Sequence, residues 1–304
     1  MERSYCSPLD ITQIENNFSE INPAMSAAEA MQEASRCLYC YDAPCIKACP
    51  TGIDVPSFIK KIASGNVTGS ARTIFDANPI GASCARVCPV EVLCEGACVE
   101  KTLINKPIEI GRLQRFATDF AIAAGKQLFE KGEPNGKSVG IVGSGPSGLS
   151  CATYLARLGY AVTVYERRAE AGGLDTYGMA EYKMPKSVSQ AEVEQVRRLG
   201  VELRLNTAVG TDVSFDDLRS SHDAIFLAVG LGDTNKLNIP GEDLDGVIDA
   251  LHFIERIKTR DWKSVPLGRN VVVLGAGNTA IDAVTQAKRL GAGKVTLVYR
   301  RTEK

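Results

Sequence analysis

Apolar and polar positions change period several times along the chain, and the changes outline its elements. Residues 139–142 form a short continuous apolar run of the kind buried on both faces in a parallel sheet. Behind it come G-S-G-P-S-G, apolar residues at helical spacing as far as Leu158, and a second apolar run over 161–165, which together predict strand, turn, helix and strand. The succession recurs from Val271: VVVLGAGNTAIDAV, a helix as far as Leu290, and a strand over 294–299. Between the two lie a helix over 188–199, a short strand over 201–205, a buried strand over 224–229 and a helix-period run over 250–257. Ahead of residue 125 the pattern is helical. Ser26 with Glu29 three residues on makes a capping box, and helical spacing runs over 56–63, 71–77 and 110–124. Residues 126–137 turn polar, with Gly132, Pro134 and Gly136, and read as a linker. An α/β multi-domain chain follows: a helical domain over 1–125, the linker, a first nucleotide domain over 138–232 and the beginning of a second over 233–304.

The turns at the strand ends carry the candidate chemistry. Gly143 permits the tight turn, Gly145 lets the backbone approach a pyrophosphate, and Gly148 lets the helix lie close on the strand. Ser144, Pro146 and Ser147 complete a loop whose free N–H groups face the phosphates. Glu166, eighteen residues past Gly148, closes the second strand where a carboxylate accepts hydrogen bonds from a ribose. Arg167 follows it, and the Gly172–Gly173–Leu174 stretch offers a second close backbone approach to the same cofactor. In the later unit the fingerprint is G-x-G-x-x-A, with Gly275, Ala276, Gly277, Asn278 and Thr279 in the loop and Ala280 at its end. Its second strand runs into Arg300 and Arg301, where an NAD-selective site usually has an acid. Two guanidiniums there suit the 2′-phosphate of NADPH, the alternative being a solvated charge pair.

Composition narrows the class. A net charge of −1 without basic runs argues against a nucleic-acid or membrane-surface partner, and no window has the roughly 18 apolar residues of a membrane span. The first residues, MERSYCSPLDITQ, have no basic start and no apolar core, so a cytoplasmic protein is expected. In that reducing compartment its ten cysteines point to metal or redox chemistry rather than disulfides. Eight fall in two groups of four: Cys37, Cys40, Cys45 and Cys49-Pro50, then Cys84, Cys88-Pro89, Cys94 and Cys98. Structural zinc spaces its ligands in local pairs, whereas groups ending in Cys-Pro resemble two-cluster ferredoxins, in which the last cysteine serves the other cluster. By that rule Cys49 crosses from Cys37, Cys40 and Cys45 to the second group and Cys98 returns to the first; counting alone makes Cys84 the eighth ligand. Cys6 is a bystander, and His222 and His252 read as structural.

In its order of motifs the chain resembles a known family. C-x2-C-x4-C-x3-C-P, C-x3-C-P-x3-L-C-x3-C, IGRLQRF over 110–116 and the flavin fingerprint are similar to the N-terminal half of dihydropyrimidine dehydrogenase and the separate flavin subunit of its bacterial form. The small subunit of glutamate synthase and NADH-dependent ferredoxin:NADP oxidoreductases are similar, a little less closely. The resemblance implies one cluster held by Cys37, Cys40, Cys45 and Cys98, and a second held by Cys49, Cys88, Cys94 and the side chain of Gln114. Glutamate synthase small subunits tend to carry Glu at that last position, so Gln114 favours the pyrimidine branch. It further implies FAD as the first nucleotide, with Lys183 on the cofactor, Val209 meeting the adenine through its backbone, and Gly230 ending the strand that closes the domain. The family often has Asp where this sequence has Asn278.

The expected fold is therefore a helical, ferredoxin-like domain with two 4Fe-4S clusters, then FAD- and NAD(P)-binding Rossmann-type domains, C-terminally truncated relative to the family. From that truncation, weak flavin retention and negligible NADPH-driven dye reduction are expected of these 304 residues alone. Nicotinamides give up two electrons together and a cluster takes one, so a flavin is needed between them. An NAD(P)H-oxidising electron-transfer subunit results, with NADPH or NADH as donor, no side chain assigned to acid–base catalysis, and an FMN-containing catalytic partner in a hetero-oligomer. The alternatives are a glutamate synthase or ferredoxin:NADP oxidoreductase subunit and, outside enzymes, an iron–sulfur relay that binds a partner.

Overall fold

A computed structural model of the chain describes residues 5–232 and 234–301. Its residues fall into two compact units. One comprises Asn22–Gly172 and Ser187–Val229; the other takes the residues up to Ile21, Gly173–Lys186 and those from Gly230 onward. The expected boundary at Asp233 lies outside the described residues.

Helix α1 (Ile11–Asn17) starts from a capping box that the sequence reading passed over, Asp10 with Gln13. The cysteine-bearing stretch is helical as expected: α2 (Ala27–Ser35), α3 (Pro44–Lys47), α4 (Val55–Ala63), α5 (Val67–Ala77), α6 (Gly81–Val87), α7 (Val99–Ile104) and α8 (Ile110–Ala123). Ser26 and Glu29 cap α2 reciprocally, the Glu29 carboxylate accepting from Ser26 N at 2.8 Å. Asp54 caps α4, and Pro56 sits in its first turn, where no N–H is missed. Phe58, Ile59, Ile62, Ile74 and Leu113 are wholly buried in one core between α4, α5 and α8. Each such side chain removed from water stabilises the domain by about 1.5–3 kcal/mol. The three short helices α3, α6 and α7 are too brief to show a period and went unread.

The same unit contains a four-stranded parallel sheet in the order β3-β2-β1-β4. β1 (Ser138–Val142), α9 (Pro146–Arg157) and β2 (Ala161–Tyr165) form the expected strand–helix–strand unit, with Val139 beside Val162 on one side and Ala224 on the other. After α10 (Leu174–Tyr177), which belongs to the other unit, come α11 (Lys186–Arg198), β3 (Glu202–Arg204), α12 (Phe215–Ser221) and β4 (Ala224–Leu227). The stretch read as a linker is tied down. Leu128 is buried in the helical core, Phe129 lies between the guanidiniums of Arg72 and Arg157 at 5.3 and 4.0 Å, and Gly132 N donates to Ala156 O at 3.0 Å. Its polar, glycine-containing composition reported the lack of a regular element, and the two apolar residues inside it decide the packing.

In the other unit α13 (Ala250–Thr259) precedes β5 (Asn270–Leu274), α14 (Asn278–Arg289) and β6 (Lys294–Val298), with β5 and β6 paired in parallel. Residues assigned by sequence to the helical domain belong here: Ile14 and Phe18 of the α1 region share a core with Ile257, Val265 and Leu290, and Phe18 stacks on Trp262 at 4.9 Å. Residues 181–184 are held within this unit too. Tyr182 OH donates to Asp282 at 2.8 Å, and Lys258, buried beside Glu181, donates to Met184 O at 2.7 Å. Burial lowers the proton affinity of Lys258, which its ion pair with Glu181 opposes. No helix among the described residues is long and apolar enough to cross a membrane.

Candidate cluster and nucleotide sites

The eight cysteines surround two cavities. Cys49, Cys84, Cys88, Cys94 and Gln114 line one; Cys37, Cys40, Cys45 and Cys98 line the other. Cys49 is thus separated from its near neighbours in sequence, and Cys98 stands with the first three. Cys45 lies within α3 and Cys49 beyond its end, while Cys88 ends α6 and Cys98 is the N-cap residue of α7. Val55 and Ile110 line both cavities and form an aliphatic wall between them.

The grouping of the thiols and their electrostatics favour clusters over lone ions. A single zinc holds its sulfurs at about 2.3 Å in one small tetrahedron. Among the described residues no three His, Cys, Asp or Glu side chains are gathered in that way. Burial pushes the Cys45 thiol up to about 11 and the Cys94 thiol up to about 12, so each would be a poor thiolate without cationic iron beside it. Cys84 hydrogen-bonds Cys88, which raises the proton affinity of Cys84 and lowers that of Cys88. Gln114 reaches the same cavity from α8. Its Nε2 donates to Gly81 O at 2.8 Å, which fixes the amide plane, and this backbone acceptor had no signal in the sequence.

The first glycine loop has the expected close approaches. Gly143 takes φ +102°, and a Cβ at Gly148 would lie 2.1 Å from Gly143 O, so the start of α9 rests directly on the turn. Gly145 is the N-cap and Pro146 the first helical residue, with no side chain capping the N–H groups of the first turn, where Ser147 stands. Glu166 does more than the sequence suggested. One carboxylate oxygen accepts from Ser144 N at 3.1 Å and Ser144 Oγ at 2.5 Å; the other accepts from Arg168 N at 2.9 Å. It ties the glycine loop to the end of β2 while Arg167 beside it stays exposed. Gly172 N donates to Ser144 O at 3.0 Å, which brings a further predicted residue to this loop. Val209, bridged to Val213, belongs to the same unit.

Other predicted residues are grouped by the second unit. Gly173 and Leu174 open α10, and Gly230 takes φ +72°. Lys183, which the resemblance places on the cofactor, has its Nζ 2.7 Å from Asp282 of α14. Asp282 also accepts from Tyr182, and its place one turn into α14 gave no sign of either bond in the sequence. Gly275 takes φ +118°, Ala276 follows it, and Gly277 is the N-cap of α14, whose first turn, Asn278 and Thr279 included, has no side-chain cap. Arg300 and Arg301 are exposed just beyond β6.

Two family models match the chain. One described as dihydropyrimidine dehydrogenase domain II, 4Fe-4S cluster, covers residues 14–126; one described as pyridine nucleotide-disulphide oxidoreductase covers residues 137–303, with a second placement over 92–217. The NAD-dependent dihydropyrimidine dehydrogenase subunit PreT of Escherichia coli K12 is 37% identical over 286 residues, which are 94% of this chain and 68% of that protein. The NADPH glutamate synthase small chain of the same organism is 39% identical over 306 residues, 97% of this chain and 64% of that one. With a 4Fe-4S domain ahead of a pyridine nucleotide domain, this oxidoreductase belongs to the family of the dihydropyrimidine dehydrogenase subunit PreT.

Proposed function

We propose that the protein takes electrons from NADPH or NADH and passes them through FAD and two 4Fe-4S clusters to a catalytic partner subunit in the cytoplasm. The observation that carries this reading is the interleaving of the cysteines around two cavities with one shared wall, a layout suited to a relay between neighbouring centres. Bound, the nicotinamide and flavin supply hydride chemistry and the clusters supply one-electron transfer. The chain's own part is placement. Cys37, Cys40, Cys45 and Cys98 hold one cluster; Cys49, Cys88 and Cys94, with the oxygen of Gln114, hold the other. The loop over 143–148, steadied by Glu166, receives the pyrophosphate of FAD, and the loop over 275–279 receives the coenzyme. Both matched relatives are named as parts of larger enzymes, a subunit and a small chain, which supports a partner here. An FMN-bearing partner that reduces uracil or thymine accords with Gln114 at the position discussed above.

Anaerobically purified full-length protein should contain about eight irons and one FAD per chain, and NADPH should bleach the flavin and then the clusters. Iron and sulfide without flavin would replace this reading with an iron–sulfur relay module. Zinc in their stead would replace it with a metal-stabilised scaffold.

Coenzyme choice is expected to rest on Arg300 and Arg301. Hydrogen bonds to charged groups contribute about 1.5–3 kcal/mol each, so replacing both residues with Ala should raise the KM for NADPH by about tenfold or more and leave that for NADH nearly unchanged. Equal changes in the two constants would identify the pair as a solvated surface.

A further inference from the structure

Glu192 stands on α11, a helix of the nucleotide-binding fold, yet its carboxylate engages the cysteine domain. The residue is 1% exposed. One of its oxygens accepts from Ala82 N at 2.7 Å and Ser83 N at 3.1 Å, and the other accepts from the Ser83 hydroxyl. These donors open α6, whose own N-cap, Ile80, offers no side-chain acceptor. Glu192 therefore provides across 109 and 110 residues of chain the acceptor that Ser or Asp usually provides locally.

The helix so held governs one cavity. It carries Cys84, ends at Cys88, and presents through Gly81 the carbonyl that orients Gln114. Three of the five candidate groups around that cavity thus depend on where α6 begins. Gly81 leaves little slack, since a Cβ there would meet Ile74 Cγ2 at 2.6 Å. None of Cys37, Cys40, Cys45 and Cys98 lies on α6, so the other cavity is free of this dependence.

We infer that Glu192 is a positioning residue for the cluster at Cys49, Cys88 and Cys94, fixing α6 beneath it and setting its reduction potential. The inference rests on the cluster reading given above. Two effects act together. The buried carboxylate holds the ligand-bearing helix in register, and its negative charge disfavours adding an electron to the nearby cluster, because cluster potentials respond to local charge and to hydrogen bonding. Through this one side chain the nucleotide-binding fold influences the cluster on α6 and not its neighbour.

The test compares wild-type, Glu192→Gln and Glu192→Asp holoprotein by iron content and by redox titration followed by electron paramagnetic resonance. Glutamine keeps acceptor reach and removes the charge. It should ease reduction of one cluster by about tenfold, 59 mV for a one-electron couple, and leave the other midpoint in place. Aspartate keeps the charge with a shorter reach, and should cost iron from that one cluster on storage with little change in either midpoint. Midpoints that stay put in Glu192→Gln, or that move together, would overturn the inference, as would equal loss of both clusters in Glu192→Asp. A wild-type protein without two cluster signals would refute the cluster reading itself, which the unmutated sample reveals before any variant is compared.

Discussion

Replacing Cys49 with serine is expected to remove about half of the iron from the protein, whereas Cys84→Ser should leave the content at about eight per chain. The two residues line the same cavity, so position alone does not separate them. What sets Cys84 apart is its hydrogen bond to Cys88. Cys84 donates toward Cys88 and keeps its proton more firmly than an ordinary thiol, and Cys88 in turn becomes the better thiolate. Gln114, with its amide fixed by Gly81, remains to fill the fourth coordination position. Loss of Cys49 removes a thiolate with no substitute at its position; loss of Cys84 removes a hydrogen-bond donor. Iron and acid-labile sulfide assays on both variants, purified without oxygen, read the difference. Equal losses would make Cys84 a ligand and return Gln114 to the role of a buried amide.

Gly148→Ala should strip the flavin while sparing the clusters. The added methyl carbon would lie 2.1 Å from the carbonyl oxygen of Gly143 and 3.3 Å from the Cβ of Ala228, and a backbone oxygen cannot swing away as the end of a flexible side chain can. Helix α9 has to lift off the turn. Overpacking of this kind costs about 1–3 kcal/mol in stability. The larger effect is on binding, because the N–H groups that start α9 move with the helix away from the pyrophosphate they serve. The ratio of flavin to iron should fall by about tenfold or more, the cysteine cavities being lined by other residues. A preserved ratio would show that the loop does not bear the cofactor.

The long periodic elements were legible in the sequence because their cores repeat. The apolar faces of α4, α8 and α9 and the runs in β1 and β2 all lie where spacing placed them, within a residue or two. The neighbours of Cys49 and Cys98 were legible for a different reason, since the Cys-Pro endings suggest an exchange of the fourth cysteine and each of the two lines a cavity with the other group. What stayed hidden depends on single contacts between distant segments. Nothing near Glu192 marks it as the cap of a helix more than a hundred residues earlier, and Lys183 gives no local sign of Asp282. The attachment of the stretch over 126–137 was hidden because turn residues describe backbone shape, whereas its packing comes from Leu128, Phe129 and two arginines elsewhere in the chain.

The exchange of Cys49 and Cys98 also constrains biogenesis. Cys98 completes the wall of the cavity begun at Cys37, and Cys49 contributes to the one that also needs Cys88 and Cys94. During synthesis, then, the cavity at Cys49 lacks cysteines until Cys94 has been made, and the cavity at Cys37 lacks one until Cys98 has been made. No nascent segment that stops short of Cys94 offers either cavity its full set of thiols. Because metal binding and folding are coupled in such small domains, loading becomes a single late event in which both centres mature together.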